Sequence, residues 1–320
     1  MNTPVKRKRV PVHGVLLLDK PAGMSSTQAL AKAKWLLNAE KGGHTGTLDP
    51  FATGLLPLCF GEATKFSSDL LDADKTYEAT IRLGITTTTG DPEGEVIDIR
   101  PVNVDISRVE SVLAGFRGAI HQIPPMYSAL KRDGKPLYVY ARAGQTLERE
   151  ARSVVIHDLQ LISFKSPDLQ IRVRCSKGTY IRVLGEDIGQ VLEVGAHLVS
   201  LRRIAAGKLS IDSATSINAL EALSEADRKK LLLPIDTLLS ELTPVVLSPS
   251  LAGRFVQGQR IALGKSGISV SDGSIDRVKV INVDQALLGV ARLSSEGILQ
   301  PERLVSVPAA SLNKPESKSE

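Results

Sequence analysis

The sequence predicts an α+β chain: a mixed, mainly antiparallel sheet flanked by helices, followed by a small C-terminal β-rich domain. Three observations lead there. Apolar residues alternate with polar ones in segments such as Tyr77, Ala79, Ile81 and Leu83, set between Glu78, Thr80 and Arg82, which is the pattern of a half-buried strand. The helical stretches stand apart from such strands and do not alternate with them regularly, which disfavours a parallel sheet built by βαβ crossovers. From about Pro244 the chain turns to short strands punctuated by glycine, at residues 260–263, 278–283, 287–293 and 304–307.

Residues 1–10, carrying Lys6-Arg7-Lys8-Arg9, read as a disordered basic arm. Residues 13–20 read as a strand that stops at the turn Pro21-Ala22-Gly23. Ser25 with Gln28 forms a capping-box pair, and the helix it opens puts Leu30, Ala33, Leu36 and Leu37 on one face. A glycine-broken loop at 42–50 leads into an apolar run at 55–60. After the strand at 77–83, Gly90-Asp91-Pro92-Glu93-Gly94 is turn chemistry that lets residues 96–99 return as a hairpin partner. Ile106, Val109, Val112, Leu113 and Phe116 mark a short amphipathic helix. Leu169, Ile171, Val173 and Cys175 alternate again, residues 180–192 read as a helix, and 197–204 as extended chain. The expected organisation is an arm to residue 10, a main domain over 11–243, a second domain over 244–310 and a disordered polar tail over 311–320.

A chain of 320 residues, 42% apolar and 23% charged, has room for one large domain and a small one. No apolar run approaches the roughly 18–20 residues of a membrane helix, and the stretch at 15–18 is too short for a secretory core, so the expected location is cytoplasmic. Cys59 and Cys175 lie far apart without metal-type spacing and read as reduced, buried thiols. The net charge of +5, from 40 basic and 35 acidic residues, points only weakly to nucleic acid. Its placement says more. Arg172, Arg174, Lys177, Arg182, Arg202 and Arg203 crowd one region that would attract a polyanion, although a solvated sheet face looks the same. The histidines never fall at a ligand spacing, and CxxC, GxxxxGK[ST], GxGxxG and GxSxG are all missing, so neither metal nor cofactor is expected.

What remains is a dense polar cluster at 43–54, GHTGTLDPFATG. Its glycines permit unusual backbone angles and close approach of a ligand. Pro50 biases Asp49 toward an extended conformation, and a carboxylate so held can project into a cleft. The same residues would also suit a loop of Asx turns and helix caps, with Asp49 as one more cap. The residues alone leave both readings open.

The longer string GHTGTLDPFATGLLPL at 43–58 resembles the signature of the bacterial tRNA pseudouridine-55 synthase family. DKPAGMSS at 19–26 resembles the family's first motif. KTYEATIRLG at 75–84, the run of Thr87, Thr89, Asp91 and Gly94, QIPPMYSALKRDGKPLYVYARAG at 122–144, CSKGTYIRVLGEDIG at 175–189 and AHLVSLRR at 196–203 follow in the family's order. Gln257-Gly258-Gln259, Leu288-Gly289 and GILQPERL at 297–304 are similar to its PUA-type RNA-binding domain. The basic arm is outside the family pattern.

The resemblance implies the pseudouridine synthase fold and a cofactor-independent isomerisation of uridine-55 in the tRNA T-loop. The C1′–N1 bond breaks, uracil turns over, and C5 is joined to C1′. Asp49 matches the catalytic aspartate, as nucleophile at C1′ or as base at the 2′ proton. Burial against RNA would raise its pKa unless a cation compensates, and Arg182 would be that cation. Tyr77 would stack on the target base and its hydroxyl help move the C5 proton. Tyr180 and Leu201 would line the base pocket, and His44 would fill the space left when the nucleotide is flipped out. Taken alone, Tyr77, Tyr180 and Leu201 would pass as packing residues and His44 as a loop histidine. Lys20 and Pro21 would support the active-site loop. The implied partner is the tRNA T-arm, with no membrane and no obligatory protein partner, and the protein acting as a monomer. With every catalytic motif before residue 204, removing the C-terminal domain is expected to spare the chemical step. The alternatives are an RNA-guided synthase working inside a ribonucleoprotein, an RNA-binding or tRNA-folding scaffold, and an aspartyl-nucleophile hydrolase of small molecules.

Overall fold

The computed structural model describes residues 8–263 and 276–306. Its centre is a ten-stranded mixed sheet. In chain order the main strands are β1 (Gly14–Lys20), β2 (Gly42–His44), β3 (Thr53–Phe60), β4 (Lys75–Leu83), β5 (Gly118–Gln122), β6 (Arg152–Lys165), β7 (Asp168–Cys175) and β8 (Ala196–Ala206). Across the sheet they run β1-β3-β8-β4-β7-β6-β5, with β2 beside β3 and short edge pairings at Thr215–Ser216 and Leu209–Ser210. Most pairs are antiparallel. β3 and β8 are parallel, and they meet only where Thr53 and Gly54 lie opposite Arg202 and Arg203.

The alternation expected at 77–83 is present and sets which groups face the core. Ala79, Ile81 and Leu83 of β4, Leu169, Ile171 and Val173 of β7 and Leu198 and Leu201 of β8 are all buried in one cluster. The helices α1 (Ser26–Leu36), α2 (Ile106–Gly115) and α3 (Ile181–Val191) cover that face. Ser25 and Gln28 form the full capping box at the start of α1, which sinks Ala29, Ala33 and Leu36. Because strand side chains alternate faces, register decides the rest. Tyr77 lies between Val173 and Arg203, whereas Glu78, the next residue, lies between Arg172 and Arg202 on the open face.

Four expectations need correction. Residues 96–99 do return as a hairpin, but Val96–Ile99 pairs with the short strand Ile85–Thr87 in a sheet of its own. Gly84, at φ +84°, ends β4 beforehand. In the second domain the last strand is Ile298–Leu304, earlier than residues 304–307; Pro301 inside it removes a ladder donor and masks the strand pattern. Val307 lies outside the described residues. The helix Pro249–Val256 was not anticipated, although Ser248 followed by proline at the first helical position marks its start. Finally, Lys8, Arg9 and Val10 are not a free arm: Asn38 donates to the Lys8 carbonyl (2.9 Å), and Val10 exchanges backbone bonds with Asn38 and Glu40. The rest of the expected arm, residues 1–7, and the expected tail lie outside the described residues.

The second domain is also less detachable than its sequence suggests. Ile281, Leu287, Val290 and Val305 share one buried cluster with Val15, Leu17, Leu55, Phe66 and Leu70 of the first domain. Around that cluster Arg277 pairs with the buried Asp69, and Lys65 donates to the Leu304 carbonyl (3.2 Å) and the Ser306 hydroxyl (2.7 Å). Burying an aliphatic side chain stabilises by ~1.5–3 kcal/mol, so removing the second domain uncovers a surface the first depends on.

Candidate active site

The loop between β2 and β3 carries Asp49 and is pinned at several points. At the start of α1 the buried Ser26 hydroxyl accepts from the Leu48 N–H (2.8 Å) and donates to the Leu48 carbonyl (3.0 Å). Lys20, fully buried at the end of β1, donates to the carbonyls of Pro21 (2.9 Å), Met24 (2.6 Å) and Pro50 (3.3 Å), binding the first turn to the loop. Arg203 of β8, 1% exposed, donates to the carbonyls of Leu55 (2.7 Å) and Gly46 (3.1 Å). Gly54, at φ +102°, is required by this closeness, since a Cβ there would stand 2.3 Å from the Arg203 carbonyl oxygen.

Asp49 itself meets Arg182 from the first turn of α3, Nε to Oδ2 at 3.1 Å. The carboxylate keeps 35% of its side-chain surface exposed while the guanidinium keeps 5%, so the cation is fixed and the anion faces outward. Arg182 is held from behind by Asp91 (3.2 Å) and by the carbonyls of Thr89 (2.9 Å) and Tyr127 (2.6 Å). Burial is the larger influence on Asp49 and raises its pKa above the ordinary carboxylate range; Arg182 and Lys20 oppose the rise, and Asp91 adds to it. The expected compensation by Arg182 is therefore present but incomplete.

Tyr77 is half-buried on β4 beside this group. Burial raises its phenol above its usual pKa, opposed by the positive charge of Arg203, its register partner on β8. Tyr180 caps α3, and its backbone is clamped by the Gln122 side chain in both directions (3.0 and 3.2 Å). Its phenol is likewise raised by burial. Leu201, 7% exposed, is on the wall of a cleft of about 670 Å³ that opens beside the loop at Phe51 and Thr53 and runs along the open sheet face past Glu78, Thr80, Ser200 and Arg202. Asp49, Tyr77 and Arg182 are next to that cleft and do not line it. His44 ends β2, half-buried, with its Nδ1 buried and unpartnered; burial, then Arg203, lower its pKa. Asp49, Arg182, Tyr77 and Tyr180 thus gather at one point, Leu201 lines the adjoining cleft, and His44 approaches from the Arg203 side.

Three participants were quoted in motifs without a role. Asp91 is 3% exposed and accepts from the Thr89 hydroxyl and the Glu93 N–H (3.0 Å). Gly94 is needed there because a Cβ would sit 2.4 Å from the Thr89 hydroxyl oxygen. The run of Thr87, Thr89, Asp91 and Gly94 is thus a turn that fixes a carboxylate behind Arg182. Lys75 is buried and donates to the carbonyls of Leu70, Leu71 and Ala73 (3.1, 2.6 and 2.6 Å). Burial lowers both Lys20 and Lys75 to about 8. Arg203 is the third.

The crowd of six cations does not form one attractive face. Arg182 and Arg203 are buried in the site. The other four are paired: Arg172 with Glu78, Arg174 with Asp74, Lys177 with Asp72 and Arg202 with Asp19. A linear reading of the chain counts cations and misses the acids that the fold brings beside them, Glu78 through the ladder and Asp19, Asp72 and Asp74 from elsewhere in the chain. A local excess of basic charge lies elsewhere, on exposed Lys131, Arg132, Lys135, Arg142 and Arg152 between β5 and the start of β6, against Asp133, Glu148 and Glu150 in the same stretch. Cys59 and Cys175 are buried thiols. Among the described residues no helix is long and apolar enough to cross a membrane.

Comparison with known proteins identifies the family and the fold. Residues 34–181 match the model of the TruB family pseudouridylate synthase N-terminal domain, residues 182–240 the tRNA pseudouridylate synthase B C-terminal domain, and residues 243–305 the C-terminal domain described as pseudouridine synthase II TruB. The tRNA pseudouridine synthase B of Burkholderia mallei is 58% identical over 297 residues, covering 93% of this chain and 98% of that protein. The Cupriavidus taiwanensis protein of the same name is 56% identical over 311 residues, covering 96% and 98%. Among solved structures, Cbf5 in a Cbf5-Nop10-Gar1 complex superposes with a TM-score of 0.71 at 25% identity, over 91% of this chain and 84% of that one. The fold is that of the pseudouridine synthases, and the chain belongs to the TruB family.

Proposed function

We propose that this protein converts uridine-55 in the T-loop of tRNA to pseudouridine, with Asp49 as its catalytic carboxylate. The observation that carries the reading is the pairing of a half-exposed Asp49 with a buried, fully engaged Arg182, beside two aromatic side chains. The relatives' activity, tRNA pseudouridine synthesis, is an isomerisation, so its chemistry balances within the substrate. The C1′–N1 bond breaks, a C1′–C5 bond forms, and the proton leaving C5 is matched by one gained at N1. Asp49 supplies the anionic oxygen, either at C1′ or at the 2′ proton, and Arg182 keeps it ionised against burial. Tyr77 stacks on the uracil, with Tyr180 and Leu201 completing the pocket, and His44 occupies the space vacated by the flipped nucleotide.

The basic, exposed segment around Lys131, Arg132, Lys135 and Arg142 suits the phosphates of the T-arm, and the C-terminal domain, PUA-like in this reading, extends the RNA contact. The protein acts in the cytoplasm as a monomer, without an obligatory protein partner or a cofactor. Purified protein incubated with an unmodified T-arm hairpin tests all of this together. Tritium released from C5-labelled uridine at position 55 is the expected result. Modification only when a guide RNA or protein is added would favour the RNA-guided alternative, and binding without release would favour the scaffold.

A further inference from the structure

Gln122 is the last residue of β5, and the ladder pairs it with Arg152, the first residue of β6. Alternation along the strand turns its side chain to the same face as Ile120, which packs against the main core, and Gln122 is 2% exposed. A buried carboxamide is costly unless both of its polar groups are partnered. Here both go to one residue. Gln122 Oε1 accepts from the Tyr180 N–H (3.0 Å), and its Nε2 donates to the Tyr180 carbonyl (3.2 Å). That double exchange is what a neighbouring strand offers the residue opposite it, and Tyr180 has the matching extended conformation, with φ −99° and ψ 107°. We infer that Gln122 is a positioning residue, which stands in for a strand partner and fixes where the Tyr180 ring enters the pocket.

The chain around Tyr180 gives the clamp its purpose. Tyr180 follows the exposed turn at Lys177 and Gly178, the latter at φ +80°, and it is the N-cap of α3 without a side-chain capping bond. It therefore stands where irregular chain becomes helix, and nothing in its own side chain holds it there. Its carbonyl also accepts from the Leu184 N–H (3.0 Å), the first bond of the helix. Gln122 thus adds the two bonds that tie this junction to the end of a strand. With the backbone fixed, only the side-chain torsions remain to place the ring. The inference rests on Tyr180 belonging to the pocket for the target base.

The test is a double-mutant cycle on the single-turnover rate of tritium release at saturating tRNA, with tRNA affinity measured beside it. Gln122→Met keeps the length of the side chain and deletes both hydrogen bonds. Its rate should fall about tenfold or more, while affinity, carried by phosphate contacts, stays within about threefold. A general loosening of the domain would lower both together. Tyr180→Ala removes the ring that Gln122 acts through, so adding Gln122→Met to it should cost no more than about twofold further. A wild-type rate in Gln122→Met, or costs that multiply, would overturn the inference. If Gln122→Met does not fold, an ester in place of the peptide bond between Thr179 and Tyr180 removes the Tyr180 N–H and no side chain. The same fall in rate at unchanged affinity is expected, and a wild-type rate would again overturn the inference. Tyr180→Ala alone keeps the failures apart: turnover like the wild type would take Tyr180 out of the pocket, and the inference would fall with that reading.

Discussion

Tyr77 and Glu78 are adjacent on β4 and point to opposite faces of the sheet, where charge is handled in opposite ways. Around Glu78 each cation has its acid: Arg172 with Glu78, Arg202 with Asp19 and Arg82 with Asp168, all substantially exposed. Around Tyr77 the cations Lys20, Lys75 and Arg203 are buried and held by backbone carbonyls. Among the described residues only Arg182 on that side meets carboxylates, and one of them is the outward-facing Asp49. Exposed pairs cancel each other and are screened by water. Buried cations without acids leave a standing positive field at one place, where an ionised carboxylate and a developing phenolate would benefit. Function should therefore be most sensitive on the Tyr77 side and less so on the Glu78 side, where Glu78 and Arg202 share a cleft wall with Leu201.

The largest expected effect is at Asp49. Asp49→Asn keeps the shape but removes the anionic oxygen, and Asp49→Ala removes the group. Both should be inactive to the detection limit of tritium release. Both should still bind the T-arm within about tenfold, roughly 1.4 kcal/mol, because phosphate contacts and stacking carry the affinity. Substantial release by Asp49→Ala would break the comparison at its centre.

Next in size is Tyr77. Tyr77→Phe keeps a ring whose stacking is worth about 1–3 kcal/mol, and Tyr77→Leu loses ring and hydroxyl together. If the hydroxyl takes part in proton movement, Phe should bind RNA like the wild type yet turn over far more slowly, with Leu failing at both. Near-normal activity in both would take Tyr77 out of the site.

A tenfold-scale effect is expected from pH. Activity requires the Asp49 carboxylate, and burial raises its pKa, so the acid limb should lie above the ordinary carboxylate range. Activity also requires the Lys20 ammonium that holds the loop, so an alkaline limb should appear near about 8. Stability runs the other way for that lysine. Its folded pKa is below the unfolded value of 10.5, so the buried charge costs stability below about pH 8, and the cost shrinks as pH rises toward 10.5. Urea unfolding of the wild type relative to Lys20→Met, followed from pH 7 to 9.5, separates the two. A wild type that loses relative stability across that window would contradict the buried-ammonium account.

How much of this could be read along the chain follows from the same contrast. The alternation of Tyr77, Ala79, Ile81 and Leu83, the Ser25–Gln28 box and the helix at 180–192 depend on neighbours in sequence, and they form as expected, the helix as Ile181–Val191. Asp49 and Arg182 were singled out through the motif resemblance, and the structure pairs them at 3.1 Å. Arg203 was read as one more surface cation because its identity as a buried one depends on β8 lying between β3 and β4, a long-range pairing. The acids opposite Arg172 and Arg202 were hidden for the same reason. The shared core with the second domain depends on Ile281, Leu287 and Val290 meeting Leu55 and Phe66, which no local pattern announces.

The smallest effect is expected at Glu78, and it is the sharpest check on the open face. Glu78→Gln releases Arg172 from its partner without changing side-chain volume. Exposed pairs of this kind contribute ~0–1 kcal/mol, so the unfolding midpoint should hardly move. RNA binding is the more telling measurement. If phosphates do not reach this face, a freed Arg172 has nothing to hold, and tRNA affinity and its salt dependence should match the wild type. If they do, neutralising Glu78 adds one uncompensated cation to the interface. Affinity would then rise several-fold at low salt, and the slope of log affinity against log salt would steepen by about one. That outcome would return a polyanion-binding role to the sheet face that the ion pairs argue against, and unchanged binding would confine RNA to the Asp49 side.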